Sequence, residues 1–322
     1  LVAPPARADV VSAGGQQNLG SLVNGSSSGC SAGICQISGG TGAGRNLFHR
    51  FKEFDTRGNI EAVRFLTDGF RNTFVGVNNP AGTFIDKPIS LSSAGSLYWL
   101  SPGGLSITGV GGFHNVQNLT LTTATGVRFA DGSLFDSLRT TPAQAALLSS
   151  RPLPGSAGLV TTADSLQDGG LLTNGDLSLS GGLLTVDADL LVDAQGGHVL
   201  MQSSDLSSTG GGITVAGGQI SLADSQLSVT SDIAAAGNIR LQASGDALLT
   251  NSQLLASGAE AGSIQVLGQG IGVVSSHLEA NGLNGGGSVQ VGGGYQGASL
   301  GGPNSTYTWI GPGSVLAANA LK

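Results

Sequence analysis

The sequence predicts an all-β protein that folds as a right-handed parallel β-helix, a solenoid of stacked coils. Glycine supplies 55 of the 322 residues and charged residues only 10%, a composition that suits short strands joined by tight turns and disfavours helices. A glycine-led motif recurs every 25 residues in the C-terminal half. Within each interval, short runs alternate between apolar and polar side chains, a pattern that is typical of strands.

Composition and charge exclude several classes of protein. The hydrophobic fraction of 39% is unlike that of a disordered chain, and the glycines do not recur at every third position as in collagen. Two cysteines are too few for a disulfide scaffold. The sequence has no run of about 18 apolar residues that would span a membrane as a helix. The chain has a net charge of −7 and therefore lacks the excess of basic residues that nucleic-acid-binding proteins usually carry, so we expect no nucleic-acid partner.

The N-terminal residues carry a secretory signature. Ala6-Arg7-Ala8 fits the small-residue pattern that precedes a signal-peptide cleavage site. We therefore interpret residues 1–8 as the remnant of a signal peptide and expect the mature chain to begin at Asp9. An ordinary flexible N-terminus is the alternative interpretation.

Cys30 and Cys35 are the only cysteines of the sequence, and Gly33 lies between them. In an oxidising compartment this spacing closes a small loop, and we predict a local disulfide rather than two free thiols. Two cysteines are too few ligands for a structural zinc site, and their spacing differs from that of a C-x-x-C redox motif. We expect neither a metal nor a cofactor.

A three-part repeat organises the C-terminal half. The glycine-led motif has three copies 25 residues apart and a fourth copy 26 residues before them: Gly211–Val215, Gly237–Leu241, Gly262–Val266 and Gly287–Val291. Two further apolar segments recur inside each period. The first set is Ile220/Leu222, Leu248/Leu249 and Ile271/Val273, and the second is Ser225–Leu227, Ser252–Leu254 and Ser276–Leu278.

Three short strands per period indicate a stacked coil. A single coil cannot bury its apolar face, whereas stacking coils about 4.8 Å apart buries it in a continuous column. We therefore assign residues 171–322 to β-helix repeats. A β-sandwich or a β-propeller is the alternative, but strands of a sandwich have no fixed sequence period, and propeller repeats are longer. Prolines interrupt the rhythm at 138–170, where we predict a loop or hairpin excursion.

The most specific motifs lie in residues 37–54, 97–107 and 109–135. They read ISGGTGAGRNLFHRFKEF, LYWLSPGGLSI and GVGGFHNVQNLTLTTATGVRFADGSLF. In this order they resemble the secretion domain of the filamentous-haemagglutinin family, the exported partner of bacterial two-partner secretion systems. The residues that match the family pattern are Gly44, Asn46, Leu47, Phe48, His49, Phe51, Phe54, Pro102, Gly104, Gly112, Phe113, Thr123, Ala124, Phe129, Asp131, Gly132 and Phe135.

The resemblance implies a role in export. Members of the family are large exoproteins of Gram-negative bacteria, and soluble modules of a cognate outer-membrane β-barrel transporter recognise their N-terminal domain in the periplasm. The chain then crosses the outer membrane unfolded, and the β-helix nucleates folding outside the cell. The resemblance implies that residues 9–137 form an N-terminal cap with the secretion signal. We expect a secreted or cell-surface monomer whose chain continues beyond Lys322.

Six residues of one motif are the candidates for transporter recognition: Asn46, Leu47, Phe48, His49, Phe51 and Phe54. Its four apolar side chains are better suited to the core of the cap than to a binding surface. Asn46 and His49 are therefore the expected polar contributors to recognition, although a structural role is the alternative for His49.

A second family motif, the NPNGI turn, departs from the family pattern. Here it reads Ser101, Pro102, Gly103 and Gly104, followed by leucine, so both asparagines are replaced. Proline followed by glycine still presets a tight turn. The replacement removes the two asparagine side chains, and with them the hydrogen bonds to backbone groups that such side chains form in turns.

Two alternatives to a pure export role follow from the repeat region. A polysaccharide-degrading enzyme is disfavoured, because Arg240 is the only internal cation after residue 151 and charged transition states need electrostatic help. An adhesin that binds a carbohydrate or another ligand on a host or neighbouring cell is the stronger alternative. Asp187, Asp189 and Asp193 form the densest acidic cluster, which we interpret as a solvated strand face rather than a Ca²⁺ site.

Overall fold

A computed structural model describes residues 9–15, 18–109, 112–161 and 175–322. The chain divides into two compact units, of which the first comprises residues 1–116 and 124–173 and the second comprises residues 117–123 and 174–322. The predicted signal-peptide remnant at 1–8 and residues 162–170 of the predicted excursion lie outside the described residues.

Strands dominate the first unit. In chain order its elements are β1 (Val10–Ser12), β2 (Ser21–Val23), β3 (Ala32–Gly39), β4 (Thr41–Ala43), β5 (Asn46–Phe54), β6 (Asn59–Phe65), β7 (Asn72–Val77), β8 (Thr83–Ile85), β9 (Ile89–Leu100), β10 (Leu105–Thr108), β11 (Phe113–Thr122, divided between the units), β12 (Gly126–Arg128), β13 (Leu134–Asp136), α1 (Pro142–Ala145), a 3₁₀ helix (Ser156–Gly158) and β14 (Leu159–Val160).

The described residues of the second unit, 117–123 and 175–322, form strands and a 3₁₀ helix. Its elements are β15 (Leu177–Ser180), β16 (Leu183–Val186), β17 (Leu190–Asp193), β18 (His198–Gln202), β19 (Asp205–Ser208), β20 (Ile213–Gly217), β21 (Gln219–Ala223), β22 (Gln226–Ala235), β23 (Ile239–Ala243), β24 (Asp246–Thr250), β25 (Gln253–Glu260), β26 (Ser263–Leu267), β27 (Gly270–Val274), β28 (His277–Glu279), β29 (Gly282–Gly285), β30 (Ser288–Val291), the 3₁₀ helix (Tyr295–Gly297), β31 (Tyr307–Ile310) and β32 (Val315–Ala317).

Three parallel sheets run through the second unit, and successive coils contribute a strand to each, with β29 pairing with β25 in addition to β28. Their strand orders are β17-β20-β23-β26-β30, β15-β18-β21-β24-β27-β31 and β16-β19-β22-β25-β28-β32. The predicted repeat sets the register, since Ile213 pairs with Ile239, Ile239 with Ile264, and Ile264 with Val289. Ile239 and Ile264 are fully buried, and Val289 is half-buried. The parallel β-helix is therefore confirmed.

One alignment within the repeat is wrong. The sequence pattern assigns Leu248 and Leu249 together to an apolar segment, but Ala247 and Leu249 are the buried residues of β24. Leu248 is 44% exposed, because successive side chains of a strand point to opposite faces. Only one of two adjacent leucines can therefore reach the core.

The first unit contains parallel ladders that are closed at one edge by antiparallel strands. β5, β7 and β9 pair in parallel, as do β3 and β6. β1 pairs antiparallel with β5, β4 with β5, and β2 with β3. Antiparallel strands of this kind cover backbone groups that an edge strand would otherwise expose to other chains. These strands lie within residues 9–137, for which the N-terminal cap stays a prediction, and we refer to them and the strands they cover as the cap.

Residues 124–160 form an outer layer over the first unit's strands. β12 lies between β13 and β14 in a three-stranded antiparallel sheet, and α1 begins with a capping box between Thr141 and Gln144. The layer begins before the predicted excursion at 138, because β12 and β13 belong to it. Its apolar side chains pack against Phe48, Phe74 and Leu100 of β5, β7 and β9.

Candidate functional site

All six motif residues that we predict for recognition lie on β5 and are buried. Asn46 is 1% exposed and Leu47 2%, and Phe48, His49, Phe51 and Phe54 are fully buried. A strand normally exposes one face, so the burial of consecutive residues needs an explanation. The explanation is that β5 is covered on both of its faces.

The inner face of β5 packs within an aromatic cluster. The ring centroids of His49 and Phe65 are 5.6 Å apart, and those of Phe54 and Trp99 are 4.6 Å apart in an edge-to-face arrangement. Phe51 also meets Phe54 edge-to-face at 5.2 Å. Aromatic pairs at such distances add stability beyond the area they bury. The apolar motif residues on this face are core residues of the cap, as their composition predicts.

The outer face of β5 packs under the outer layer. Phe48 stacks on Phe74 with centroids 4.9 Å apart and lies 4.8 Å from Phe135. Phe129 closes the group at 6.2 Å from Phe48. Phe129 and Phe135, two of the family-matching residues in the 109–135 motif, therefore contact Phe48 of the 37–54 motif. The structure brings together motifs that are about 80 residues apart in the sequence.

Asn46 connects β5 to the outer layer through its side-chain amide. Its Nδ2 donates to the carbonyl oxygens of Leu148 at 2.7 Å and Ser150 at 2.8 Å. Its Oδ1 accepts from Nδ2 of Asn72 on the neighbouring strand at 2.8 Å. The amide is thus engaged in intramolecular hydrogen bonds, and in the folded chain it has no exposed surface to offer a partner.

Arg50 is a buried residue of this motif that the sequence pattern does not single out. Its guanidinium is buried and donates to the backbone carbonyls of Asp136, Ser137 and Thr140. Burial lowers the pKa of Arg50 to about 10, and the nearby negative charge of Asp136 opposes this shift. The position of Arg50 within an apolar run was the one sequence signal of burial. An arginine in such a run is rarely buried unless other groups pair with it.

His49 is buried as a neutral imidazole. Its Nδ1 lies 3.0 Å from the hydroxyl of Ser21, and within the described part of the chain its Nε2 has no hydrogen-bond partner. Desolvation lowers the pKa of His49 to about 3. Gly40 approaches the ring so closely that a Cβ there would lie 2.8 Å from its Cε1 atom. The structure therefore places His49 in a tight structural position rather than on a binding surface.

The turn formed by Ser101, Pro102, Gly103 and Gly104 stacks on a second turn, 79–82. Ser101 Oγ donates to the Gly104 carbonyl at 2.6 Å and accepts from the Thr83 hydroxyl at 2.9 Å. A side chain at Gly103 would collide with the carbonyl oxygens of the turn below it. The serine therefore supplies a hydrogen bond within the turn even though the family's asparagines are absent.

Cys30 and Cys35 are joined by a disulfide, with Cα atoms 5.8 Å apart, a separation that lies in the usual range for such bonds. The backbone of Cys30 exchanges two hydrogen bonds with Val10 at the start of β1. The bridge therefore constrains the loop that lies against the first strand of the cap.

The acidic cluster has structural partners within the second unit. Asp189 Oδ1 accepts from the Gly212 amide at 2.9 Å, and Asp193 is buried with its Oδ1 accepting from Gln195. Over the described ranges, no group of three His, Cys, Asp or Glu side chains could hold a metal ion. A helix long and apolar enough to cross a membrane is likewise not found among the described residues.

No protein-family model matches this sequence, and neither does any curated protein. The fold is similar to the crystal structure of the HMW1 secretion domain from Haemophilus influenzae, with a TM-score of 0.52 and 14% identity over 98% of this chain and 82% of that one. The filamentous hemagglutinin secretion domain also matches, at a TM-score of 0.33 and 14% identity over 96% of this chain and 99% of that one. The first likeness shows that this chain has a parallel β-solenoid fold.

Proposed function

We propose that this chain is the N-terminal secretion domain of a large protein exported by two-partner secretion. A cognate outer-membrane β-barrel transporter recognises it in the periplasm, and the β-helix begins to fold outside the cell. The ordered family motifs and the likeness to the HMW1 secretion domain support this function. The route runs through the periplasm and the outer membrane to the cell surface or the medium.

The burial of the motif on both faces of β5 is the observation that carries the proposal. Asn46 and Phe48, at most 1% exposed, cannot contact a second protein without unfolding of the strand's surroundings. The transporter therefore reads the motif before the chain folds, while its side chains are still accessible. A motif that recognises a partner as an unfolded segment pays an ordering cost on binding and is easily released afterwards.

Folding outside the cell then withdraws the motif from the transporter. β5 pairs with β1, β4 and β7, so its ordering builds the first coil and the cap together. The hydrogen bonds from Asn46 and Arg50 attach the outer layer to this coil. Later coils add next to existing ones, because each coil of a solenoid contacts only its neighbours. The same residues serve recognition in the unfolded chain and packing in the folded one.

Export of an Asn46→Ala variant tests this proposal. In cells that carry the cognate transporter, we expect export to fall by at least about tenfold, the effect of losing one recognition hot spot. The matched control is Asn72→Ala, which breaks the hydrogen bond between Asn46 and Asn72 but leaves the motif side chain in place. Secreted protein is measured in the medium, and the free energy of unfolding is measured on both purified variants.

The two roles of the motif separate in this comparison. Recognition predicts that Asn72→Ala is exported at the wild-type level even though its folded state is less stable. Wild-type export of Asn46→Ala would reject the proposal. It would also be rejected if export of both variants declined in proportion to their lost stability, because the motif would then act only through folding.

A further inference from the structure

An aromatic-lined groove lies on the outer surface of one sheet of the second unit. Its volume is about 430 Å³, within the range of roughly 300–1,000 Å³ that is typical of small-molecule sites. The walls carry exposed residues that the core does not use, and the largest are Leu248, Tyr307 and Trp309, which are 44%, 58% and 57% exposed. Exposed apolar side chains that cluster in this way mark binding sites more often than isolated ones do.

Two glycines of β27 form the floor of the groove. In the parallel register, Gly270 lies between Asp246 and Tyr307, and Gly272 lies between Leu248 and Trp309. Strands of a sheet are about 4.8 Å apart, so the missing side chains leave a channel between β24 and β31. The Tyr307 ring leans across Gly270 toward Asp246, and a Cβ on that glycine would collide with the phenol.

The tyrosine and the aspartate form a platform with a negative charge at its tip. The Tyr307 hydroxyl donates a hydrogen bond to the Asp246 carboxylate, whose charge raises the pKa of the tyrosine. A carboxylate at the hydroxyl polarises the ring and increases the negative charge of its face. Such a face attracts a cation within about 6 Å of the ring centroid.

Charge complementarity identifies the class of ligand. The described residues that line the groove include Asp246 and His198 but neither lysine nor arginine. Residues 152–322 carry 12 acidic side chains against Arg240 and Lys322, a balance of −10, and Arg240 is engaged elsewhere by Gln242, Gln265 and Leu300. We propose that this groove binds an organic ammonium ion over the Tyr307 ring beside Asp246. This site is independent of the proposed export function.

Tryptophan fluorescence can report binding in the groove through Trp309, because the only other tryptophan of the sequence, Trp99, is fully buried. The full chain is titrated with tetramethylammonium chloride while tryptophan emission is recorded, with sodium chloride at equal ionic strength as the reference. We expect a saturable change with tetramethylammonium alone. Asp246→Asn should weaken binding by at least about threefold, and Tyr307→Ala should do the same by removing the ring.

Asp205→Asn is the matched control, because Asp205 is an exposed carboxylate on β19, in a different sheet, and its loss changes the net charge equally. The proposal requires this variant to bind as the wild type does. Equal weakening by Asp205→Asn would overturn the site in favour of diffuse attraction to an acidic surface. An equal or stronger response to neutral tert-butanol or cellotetraose would also overturn it, since the platform would then serve an apolar or saccharide ligand. Circular dichroism of each variant verifies the fold.

Discussion

His49 links the stability of the cap to pH. Its pKa of about 3 in the folded chain lies below the value of 6.5 expected without burial. As the pH falls below 6.5, the unfolded chain takes up a proton that the folded chain does not bind, so protonation favours unfolding. The stability that the neutral His49 contributes is fully present above pH 6.5 and is lost progressively as the pH falls from about 6.5 to 3.

Replacement of His49 by glutamine should flatten the pH dependence of stability. Between pH 7.5 and 5, we expect protonation of His49 to lower the wild-type free energy of unfolding by about 2 kcal/mol. The variant lacks this contribution, so its loss over the same range should be smaller by that amount. Urea unfolding at both pH values measures the difference. A variant with the wild-type pH dependence would show that the pKa of His49 is the same in the folded and the unfolded chain.

The sequence predicts the burial of the apolar motif residues better than that of the polar ones. Leu47 and Phe48 follow from hydrophobicity alone. Asn46 hydrogen-bonds carbonyls 102 and 104 positions away, and Arg50 reaches Ser137 at a separation of 87. Such partners depend on how the outer layer returns over β5, which no local pattern encodes. The polar residues therefore resemble surface residues in the sequence although they are buried.

A column of serines stabilises one corner of the second unit. Ser204, Ser225, Ser252 and Ser276 are buried in successive coils. Each hydroxyl donates to the carbonyl two residues earlier. The Ser225 and Ser252 hydroxyls also each accept a hydrogen bond from the backbone amide of the serine in the preceding coil. The residue before each serine has a positive φ of 47–51°, which turns the chain at the corner. The sequence repeat contains this corner as a serine that precedes a polar residue and leucine.

Ser252→Ala should destabilise the second unit. The substitution leaves the buried Ser225 amide without the hydroxyl that accepts its hydrogen bond, while the Thr250 carbonyl keeps the hydrogen bond from the Asp224 amide. An unsatisfied buried polar group costs about 1–3 kcal/mol, so we expect the free energy of unfolding to fall by that amount. Ser228→Ala is the control, because Ser228 is half-buried on β22 and should change stability by about 0.5 kcal/mol or less. Equal effects in denaturant unfolding would contradict a role of the corner.

Whole coils of the second unit were predictable because each repeats a local pattern, whereas the outer layer was not. The spacing of Gly237 and Gly262 gives the register directly, and the structure pairs the isoleucines that follow them. The outer layer has no repeat, and its start at β12 falls inside a family motif that we assigned to the cap. Repetition makes neighbours in space predictable from the sequence, and its absence leaves only the composition of prolines and alanines as a signal.

Within the second unit, a core defect should spread from its own coil to the adjacent ones. Leu249 on β24 is fully buried, while the adjacent Leu248 points outward. Leu249→Ala removes about 2–5 kcal/mol of stabilisation, and a solenoid distributes such a loss by nearest-neighbour contacts. We expect amide hydrogen exchange to accelerate most in β24 and in β21 and β27, the two strands that pair with it, and least in strands further along the column. Leu248→Ala, the matched control, should leave protection close to that of the wild type. Uniform acceleration across every strand of the unit would instead show that its coils unfold as a single cooperative block.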